Sequence, residues 1–402
     1  MNNLHVQSEI GKLKKVLLHE PGEELNNLTP KYLGELLFDD IPWLPLAKKE
    51  HQAFAKAFKD NGVEVVYLVD LVCEAITNEK IKEEFIDQFI LDSMISSSTL
   101  KEILKDYLMN IKDIRQLVLK CIAGIKKKEI DMKKLTLTDY IDDSPFVTNP
   151  MPNLYFTRDP FASIYDGISL NKMYSVTRRR ETIFASFIFN YHKDYKDVNK
   201  YYDRTDMFNI EGGDIHVLNE ETLIIGVSER TSTQAIELLS KRLFASNLNI
   251  KQVLAFAIPK ERTFMHLDTV FTQIDYDKFT IHKGCYNLLQ VFEIKDDIDR
   301  QGKLKVTRLD GKLENILEKY MHKKITLIPC GGDDDITSDR EQWSDGSNCI
   351  CLKPGVVIAY ERNDVTNKLL EENGIKVIKI PSSELSRGRG GPRCMSMPLI
   401  RE

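Results

Sequence analysis

Residues 355–380, GVVIAYERNDVTNKLLEENGIKVIKI, form the stretch that decides the fold of this chain. The apolar, β-branched run at 355–360 predicts a strand. Asn363 is predicted to be the N-cap of a helix over 364–372, which the Asn-Gly pair after it ends. A second strand is predicted at 375–380. The stretch is therefore one strand–helix–strand unit.

The same order of elements recurs in three other parts of the chain. The predicted elements are the strand Leu223–Val227, the helix Thr233–Leu243 and the strand Ile250–Ile258; a strand at Met173–Val176 followed by the helix Thr182–Asn190; and the helix Lys48–Lys59 followed by the strand Val63–Val69. A hairpin is also predicted from Ile215–Leu218 and Leu223–Val227. These recurrences predict small β-β-α-β modules.

Acidic turns recur at a nearly constant interval along the chain. Asp159, Asp214, Asp268 and Asp334 are separated by 55, 54 and 66 residues, and Cys394 follows after 60 more. Self-similarity at a near-fixed period predicts stacked or radially arranged units. We expect a ring of modules that brings these turns together at its centre.

One region, from about residue 74 to residue 136, interrupts this pattern. Apolar residues fall at helical spacing over Ile81–Ile90. Thr99 and Glu102 form a predicted capping box for a further helix, and Gly124 is predicted to end the last one. We therefore expect an all-helical insertion of four or five helices at 74–136, between the first and second β-rich units.

Composition places the chain among globular proteins. It has 402 residues, of which 42% are hydrophobic and 29% charged, with a formal net charge of −5. This charge does not indicate binding to nucleic acid or to an anionic membrane, and no apolar stretch reaches the ~18 residues of a membrane span. The seven cysteines include no Cys-x-x-Cys pair, and the N-terminus lacks a secretory signal. We expect a reduced, cytoplasmic setting.

Four motifs carry residues suited to chemistry. They are Asn153–Pro160 (NLYFTRDP), Glu211–Asp214 (EGGD), Met265–Thr269 (MHLDT) and Arg387–Pro398 (RGRGGPRCMSMP), the last with Cys394 on a glycine-rich segment. Each alone has an ordinary structural explanation, as a turn-forming Asp, a solvated acidic loop, a packed His or an inert Cys. Together they supply a thiol, an imidazole and several carboxylates.

This combination points to a cationic substrate. Cys with His is a standard pairing of nucleophile and base. Carboxylates beside them would repel the oxyanion of acyl transfer, so a protease-like reaction does not explain them. A guanidinium offers planar, paired N–H donors that match carboxylates. Two Asp residues that hold a guanidinium would present its carbon to Cys394, and His266 could protonate the departing nitrogen.

These motifs resemble those of the arginine deiminases, within the wider guanidine-modifying superfamily. Further matches are Gly11–Val16 (GKLKKV), Leu36–Ile41 (LLFDDI) and Glu341–Asn348 (EQWSDGSN), so the resemblance covers essentially the whole chain. It implies one catalytic domain over residues 1–402, folded as a five-fold pseudosymmetric α/β propeller with the helical insertion. It also implies hydrolysis of L-arginine to L-citrulline and ammonia in arginine degradation, without metal or organic cofactor, by a homo-oligomer (dimer or tetramer).

The resemblance further implies roles for single residues. Cys394 resembles the nucleophile, His266 the general acid and base, and Glu211 the carboxylate that orients this imidazole. Asp159 and Asp268 resemble the two carboxylates that clamp the guanidinium. The remaining matches are substrate-binding positions: Asn153, Phe156 and Asp214 in the pocket, and Arg178, Arg230 and Arg389 around the α-carboxylate. The choice among Arg178, Arg179 and Arg180 stays open, as does the protonation state of Cys394 before substrate binds.

Other functions remain as alternatives. An amidinotransferase would use an amine in place of water, and a dimethylarginine hydrolase would be shorter and would lack the helical insertion. A non-catalytic arginine sensor would need the carboxylates but not a thiol. A metal site is a further alternative, although the His, Cys and acidic residues lack compact ligand spacing.

Overall fold

A computed structural model describes residues 3–130, 137–141, 144–259, 263–286, 288–297, 299–300 and 302–402. Its strands are β1 (Leu13–Leu18), β2 (Glu64–Tyr67), β3 (Ile125–Lys126), β4 (Phe146–Thr148), β5 (Phe161–Ile164), β6 (Gly167–Leu170), β7 (Asn199–Tyr202), β8 (Ile215–Asn219), β9 (Thr222–Val227), β10 (Gln252–Ala257), β11 (Phe271–Gln273), β12 (Lys278–Ile281), β13 (Gln290–Asp296), β14 (Leu304–Leu309), β15 (Thr326–Pro329), β16 (Ile350–Lys353), β17 (Val356–Tyr360), β18 (Lys376–Ile380) and β19 (Met397–Arg401). Its α-helices are α1 (Glu23–Asn26), α2 (Leu44–Asp60), α3 (Leu68–Ala75), α4 (Glu79–Asp92), α5 (Ser98–Met109), α6 (Ile114–Ala123), α7 (Leu137–Ile141), α8 (Glu181–Tyr191), α9 (Thr233–Phe244), α10 (Lys283–Tyr286), α11 (Leu313–Met321), α12 (Asp335–Trp343) and α13 (Asp364–Glu372).

Within the described residues, five sheets repeat one connectivity. Each has an antiparallel pair of strands, then a helix, then a third strand parallel to the second, as a parallel crossover requires. Their strand orders are β5-β6-β7, β8-β9-β10, β11-β12-β15, β16-β17-β18 and β19-β1-β2. The second sheet continues through β13 and β14, and β3 pairs with β4 in a separate two-stranded sheet. The sequence prediction of β-β-α-β modules is confirmed for these five sheets.

The unit at 355–380 folds as predicted, with one difference at its cap. Strand β17 pairs in parallel with β18, from Val356 opposite Lys376 to Tyr360 opposite Ile380. Asn363 stands at the N-cap position of α13, but its side chain makes no capping bond. It donates instead to the carbonyl of Ser344 at 3.0 Å. Asn363 is therefore the N-cap residue of α13 by position, as predicted, but its side chain does not cap the helix.

Two predicted strands differ in their bounds from the strands that the structure contains. The segment Met173–Val176 is not a strand; the strand is β6, which ends at Leu170, and the backbone N–H of Tyr174 donates to the carboxylate of Glu211 at 2.9 Å. The predicted strand Val63–Val69 stops as β2 at Tyr67, and α3 begins at Leu68. The apolar residues from Leu68 onward have helical spacing and are buried on one face, which explains this change.

The predicted insertion is largely but not wholly helical. Helices α4, α5 and α6 occupy most of it, but β3 at Ile125–Lys126 pairs with β4 after the insertion, so it is not all-helical. The start of α5 is capped by Ser97, which accepts from the N–H of Leu100 at 3.2 Å, and not by the predicted capping box. Residues 131–136, the end of the predicted insertion, lie outside the described residues.

Aromatic side chains join the insertion to the first repeated sheet. Phe85 on α4 contacts Phe184 and Phe187 on α8, with ring centroids 6.0 Å and 5.2 Å apart. These rings belong to one buried cluster that also contains residues of α5, α6 and the strands β5 to β10. Because α8 follows Arg178 directly, this packing fixes one wall of the cavity described below. No helix in the described parts of the chain is long and apolar enough to cross a membrane.

The residues that lead into the first strand of each repeated sheet carry the predicted motifs. We call these segments the leading turns: 157–160, 211–214, 266–270, 346–349 and 391–396. The fourth was predicted at Asp334, and this was wrong. Asp334 is exposed and caps α12 by accepting from the N–H of Thr337 at 2.8 Å. Its place before a first strand is taken by Asn348, two residues ahead of β16.

Candidate active site

Hydrogen bonds join the five leading turns in a closed cycle. Gly212 N donates to Asp159 O (3.2 Å), Leu267 N to Asp214 Oδ1 (2.8 Å), Asn348 Nδ2 to Asp268 O (3.1 Å), Arg393 N to Asn348 O (3.2 Å) and Arg158 N to Cys394 O (3.1 Å). Each turn is thus tied to the next one around the cycle. This arrangement brings together motifs that are far apart in the sequence.

A small cavity opens onto these turns. Eight of the residues predicted for the site line it: Asn153, Phe156, Asp159, Arg178, Arg230, His266, Arg389 and Cys394. The lining is completed by Leu37, Asp39, Met265, Thr269 and Gly388. Glu211 and Asp268 are fully buried and reach the site through contacts with His266 and Cys394. The structure therefore assembles ten of the eleven predicted residues around one cavity.

Cys394 faces this cavity and is 4% exposed. Its Sγ lies 3.1 Å from the side-chain nitrogen of Asn348 and 3.5 Å from a carboxylate oxygen of Asp268. Burial, together with the negative charges of Asp268 and Asp159, raises the pKa of this thiol well above its ordinary value. In the unliganded protein at neutral pH the sulfur therefore carries its proton.

His266 and Glu211 form a buried pair. The Nε2 of His266 lies 2.8 Å from Glu211, and its Nδ1 lies 3.8 Å from Asp159. Burial alone would lower the pKa of His266, but the charge of Asp159 and the hydrogen bond to Glu211 raise it to about 9. Burial would likewise raise the pKa of Glu211, but the bond from His266 and the charge of Arg230 lower it to about 2. At neutral pH the pair is an imidazolium and a carboxylate.

The glycines of the EGGD motif permit this pairing. A Cβ atom at Gly213 would lie 2.7 Å from the ring of His266, closer than real side chains pack. The residues Gly212–Asp214 form a short 3₁₀ turn directly before β8, which leaves Glu211 extended and directed at the imidazole. A glycine is therefore needed where the backbone passes the histidine ring.

In both Asp159 and Asp268, the two carboxylate oxygens differ in their hydrogen bonds. One oxygen of Asp159 accepts from Arg178 at 2.9 Å, and one oxygen of Asp268 accepts from Arg393 at 2.8 Å. The other oxygen, Oδ1, is buried in both residues and has no hydrogen-bond partner among the described residues. Buried carboxylate oxygens are costly to leave unpaired. The Oδ1 of Asp159 can accept an N–H donor from a ligand in the cavity that this residue lines, whereas Asp268 lies against Cys394 and does not itself line that cavity.

The three predicted arginines surround the cavity in different ways. Arg178 is buried between Asp159 and Glu181, to which it donates at 2.8 Å. Arg230 lies 3.8 Å from Glu211, and its guanidinium is 5.8 Å from the centre of the Tyr174 ring. Both cations line the cavity, and their positive charge offsets the negative charge of the buried carboxylates.

Arg389 lies near the cavity mouth on the C-terminal segment. Its guanidinium stacks on the ring of Trp343, 3.4 Å from the ring centre, and lies 4.0 Å from Asp39. Its φ angle of 60° is in the left-handed region, which non-glycine residues rarely adopt. The backbone is therefore held in a special turn where the arginine meets the cavity.

The geometry also addresses the open choice among the consecutive arginines. Arg178 lines the cavity, whereas Arg180 donates to the carbonyl of Asn149 at 2.7 Å and lies over the ring of Phe89. Arg179 does not line the cavity either. The positions favour Arg178.

Asp214 is the one predicted residue that the structure does not bring to the cavity. Its two oxygens accept from the N–H of Leu267 at 2.8 Å and the hydroxyl of Ser228 at 2.7 Å. Burial raises its pKa to about 6. Asp214 therefore links two leading turns, and the substrate contact predicted for it has no support in this geometry.

Sequence reasoning missed Asn348 and Arg393, which contact Cys394 and Asp268, and Glu9, which contacts Arg393. Arg393 donates to both Asp268 and Glu9, at 2.8 Å and 3.1 Å, and Asn348 contacts Cys394. Arg393 and Asn348 stood inside segments that were quoted for other reasons, beside Cys394 and at the end of EQWSDGSN. Glu9 gave no signal, because it lies near the N-terminus and outside any motif.

Asp159, Glu211 and His266 also have the donor types of a metal site, with one ligand atom each within 4.8 Å of the others. However, Arg178 lies 2.9 Å from Asp159, and both Arg178 and Arg230 lie 3.8 Å from Glu211. Fixed guanidinium groups beside these carboxylates would repel a bound cation. The cluster is better suited to carry a proton than a metal ion.

Comparisons with known proteins agree with this chemistry. The sequence pattern of the family described as arginine deiminase matches residues 34–401. An arginine deiminase from Treponema denticola is 55% identical over 405 aligned residues, which cover 99% of this chain and 98% of the relative. One from Clostridium perfringens is 52% identical over the same shares of the two chains.

Solved structures with low sequence identity share the fold. An amidinotransferase of saxitoxin biosynthesis from Microseira wollei is 13% identical, with a TM-score of 0.57 over 100% of this chain and 98% of its own. A dimethylarginine dimethylaminohydrolase is 14% identical, with a TM-score of 0.52 over 96% of this chain and 99% of its own. The chain therefore shares the α/β fold of these two proteins. Since the family pattern and full-length relatives at about half identity agree, the chain belongs to the arginine deiminase family.

Proposed function

We propose that this protein hydrolyses L-arginine to L-citrulline and ammonia through a covalent intermediate on Cys394. The observation that carries the proposal is the pair of buried oxygens of Asp159 and Asp268 that accept no hydrogen bond among the described residues, beside a thiol and an imidazolium. A guanidinium is the cation whose planar N–H donors fit two such oxygens. Full-length relatives named arginine deiminase give the same substrate.

Substrate binding follows from the charges that line the cavity. The guanidinium donates to Asp159 and Asp268, which presents its carbon to the sulfur of Cys394. At the other end, Arg230, Arg178 and Arg389 supply positive charge for the α-carboxylate, and Asn153 and Phe156 line the same cavity. Fixing both ends places the reacting atoms together without further ordering in the transition state.

At neutral pH the thiolate becomes the main form of Cys394 only when substrate docks, and the thiol proton passes to solvent. Before binding, burial and the carboxylates of Asp268 and Asp159 raise the pKa of Cys394. A docked guanidinium is a cation that neutralises both carboxylates and lies against the sulfur, so it lowers this pKa. The substrate itself supplies the charge that activates the nucleophile.

The chemical steps then use His266 twice. The thiolate adds to the guanidinium carbon to form a C–S bond, and the imidazolium gives its proton to the nitrogen that leaves as ammonia when the C–N bond breaks. His266 is now neutral and takes a proton from water. The hydroxide adds to the thiouronium carbon, and the C–S bond breaks so that Cys394 leaves as a thiolate. The hydroxyl proton then passes to this thiolate, which restores the thiol and releases neutral citrulline. Glu211 holds the imidazole in place through both steps.

The direct test is to incubate the purified protein with L-arginine, without added metal or acceptor amine, and to quantify citrulline and ammonia. We expect the two products in equal amounts. An amidinotransferase would instead require an acceptor, so glycine is added in a parallel reaction. Ornithine that forms only in the reaction with glycine would favour the amidinotransferase, whereas arginine binding without citrulline or ornithine in either reaction would favour the sensor; either result would overturn the proposal.

The pH dependence provides a prediction about His266. Its role in the first step requires the imidazolium, whose fraction falls as pH rises through the pKa of about 9. We therefore expect kcat/KM to decline above about pH 9. Glu211→Gln removes a carboxylate that raises this pKa, so the decline should begin at lower pH in the variant. Rate profiles for the two proteins between pH 6 and 10 check this, with Glu221→Gln at the β8–β9 turn as a control that should follow the wild type.

We further propose that the five repeated sheets are arranged as a five-bladed α/β propeller with the leading turns at its axis. The closed cycle of hydrogen bonds among those turns supports this arrangement. The propeller then forms one catalytic domain over residues 1–402, with the insertion placed at 74–136. A homo-oligomeric state and a cytoplasmic location stay predictions from the sequence.

A further inference from the structure

The fourth leading turn places Asn348 against the nucleophile. Its side chain is fully buried and makes three hydrogen bonds. Its Oδ1 accepts from the backbone N–H of Cys394 at 3.0 Å, and its Nδ2 lies 3.1 Å from both the carbonyl oxygen of Asp268 and the Sγ of Cys394. One amide thus contacts the backbone and the reactive atom of the same cysteine.

The partners of this amide fix which end faces the sulfur. The backbone N–H of Cys394 can only donate, so it must meet the amide oxygen. The carbonyl of Asp268 can only accept, so it must meet the amide nitrogen. Both restraints place Nδ2 next to Sγ. The group that touches the sulfur is therefore an N–H donor.

The packing around Asn348 keeps it in this position. A Cβ atom at Gly391 would lie 2.8 Å from the Cβ and the Oδ1 of Asn348, so the glycine allows the C-terminal segment to pass closely over the amide. Arg393 N also donates to the carbonyl of Asn348 at 3.2 Å. These contacts hold the amide and the cysteine segment together as one unit.

An N–H donor stabilises the thiol and the thiolate forms of the sulfur to different extents. A thiolate is a stronger acceptor than a thiol, and a hydrogen bond to a charged group is worth more than one between neutral groups. The other close polar group, Asp268, is a carboxylate and disfavours the thiolate. Asn348 opposes that effect at a distance of 3.1 Å.

We propose that Asn348 is a further catalytic residue, whose side-chain N–H stabilises the Cys394 thiolate when it attacks and when it leaves. The proposal rests on the proposed deiminase function for its substrate, but its effect on the sulfur exists without substrate. In the covalent intermediate the sulfur is a weaker acceptor, so the bond is strongest in the two states that carry thiolate charge.

Asn348→Ala tests the proposal with two readouts. The first is the rate constant of Cys394 alkylation by iodoacetamide between pH 7 and 10 without arginine, measured by mass spectrometry of the Cys394 peptide. Loss of the donor should lower this rate about 3-fold to 10-fold, since the smaller thiolate fraction is partly offset by its greater nucleophilicity. The second is steady-state kinetics, in which kcat should fall about 10-fold to 100-fold with little change in KM.

Asn348→Asp separates stabilisation of the thiolate from support of the backbone. The variant is nearly isosteric and keeps an oxygen that accepts from the N–H of Cys394, but it replaces the donor with a negative charge. We expect slower alkylation than in Asn348→Ala. Ser347→Ala is the matched control, because this buried neighbour has no contact with Cys394 in the structure, and its alkylation rate should equal that of the wild type.

The outcomes distinguish the possible failures. If Asn348→Asp is alkylated at the wild-type rate, Asn348 serves only the backbone and the proposal is wrong. If both variants alkylate slowly although the wild type forms no citrulline, the effect on the thiolate stands and the deiminase function fails. If citrulline forms at the wild-type rate in both variants, the catalytic role fails while the deiminase function stands. Circular dichroism and thermal unfolding show that each variant is folded.

Discussion

Cys394→Ala is expected to abolish citrulline formation while arginine still binds. Loss of a covalent nucleophile removes the pathway itself, and such changes lower kcat by about 10⁵-fold to 10⁶-fold. Binding should persist because the groups that hold the guanidinium, Asp159 and Asp268, are unchanged. The measurements are citrulline production by the variant and its dissociation constant for arginine by calorimetry.

The matched control for this change is Cys73→Ala. Cys73 is a partly exposed thiol on α3 that does not line the cavity. Burial raises its pKa to about 11, so it is a poor nucleophile near neutrality. The control should retain wild-type turnover. Turnover by Cys394→Ala within tenfold of the wild-type rate would show that another group attacks the substrate.

Asp268→Asn is expected to lower kcat/KM by about 10³-fold, since removal of one partner of a buried ion pair commonly costs this much. The variant keeps an oxygen that can accept from Arg393, so the local structure is preserved. It loses the negative charge opposite the guanidinium and places an amide where a carboxylate accepts two donors. Steady-state kinetics with L-arginine measure the effect.

Asp275→Asn provides a control of the same chemistry outside the cavity. Asp275 lies in the turn between β11 and β12, where it accepts from the N–H of Tyr276 at 2.8 Å. Its replacement should leave kcat/KM unchanged. If Asp268→Asn retains more than a tenth of the wild-type kcat/KM, the guanidinium is held elsewhere and the clamp must be reassigned.

The repeating units could be predicted because each is encoded locally. The apolar run of β17, the helix α13 and the stop after it follow one another within 26 residues, so a short window contains the whole pattern. The chemistry of Cys394, His266 and the carboxylates could also be predicted from the sequence, because few known reactions use a thiol, an imidazole and several carboxylates together.

The fourth leading turn could not be found by counting residues. Asp268 and Asn348 are 80 residues apart, because the third module contains the additional hairpin β13–β14, which belongs to the second sheet. A constant period assumes modules of equal length, so it pointed to Asp334. Only the pairing of strands shows that the extra residues leave one module and join another.

The different roles of Glu211 and Asp214 could not be predicted from the sequence either. Both acids belong to one motif, and each could face the cavity on the basis of residue type alone. A single 3₁₀ turn between them directs one to His266 and the other to a backbone N–H. The direction of each side chain depends on one or two backbone angles, which cannot be inferred from composition and periodicity.

Strand β19 begins three residues after Cys394 and pairs with β1 from the opposite end of the chain, from Leu17 opposite Met397 to Leu13 opposite Arg401. This is a contact of very high sequence separation, whose closure entropy is lost before any pairing is gained. A chain still emerging from the ribosome can fold its middle modules but leaves β1 paired only with β2, without β19 on its other side. The nucleophile is therefore the last catalytic group to reach its place. The active site is therefore complete only after the two ends of the chain have paired as β1 and β19.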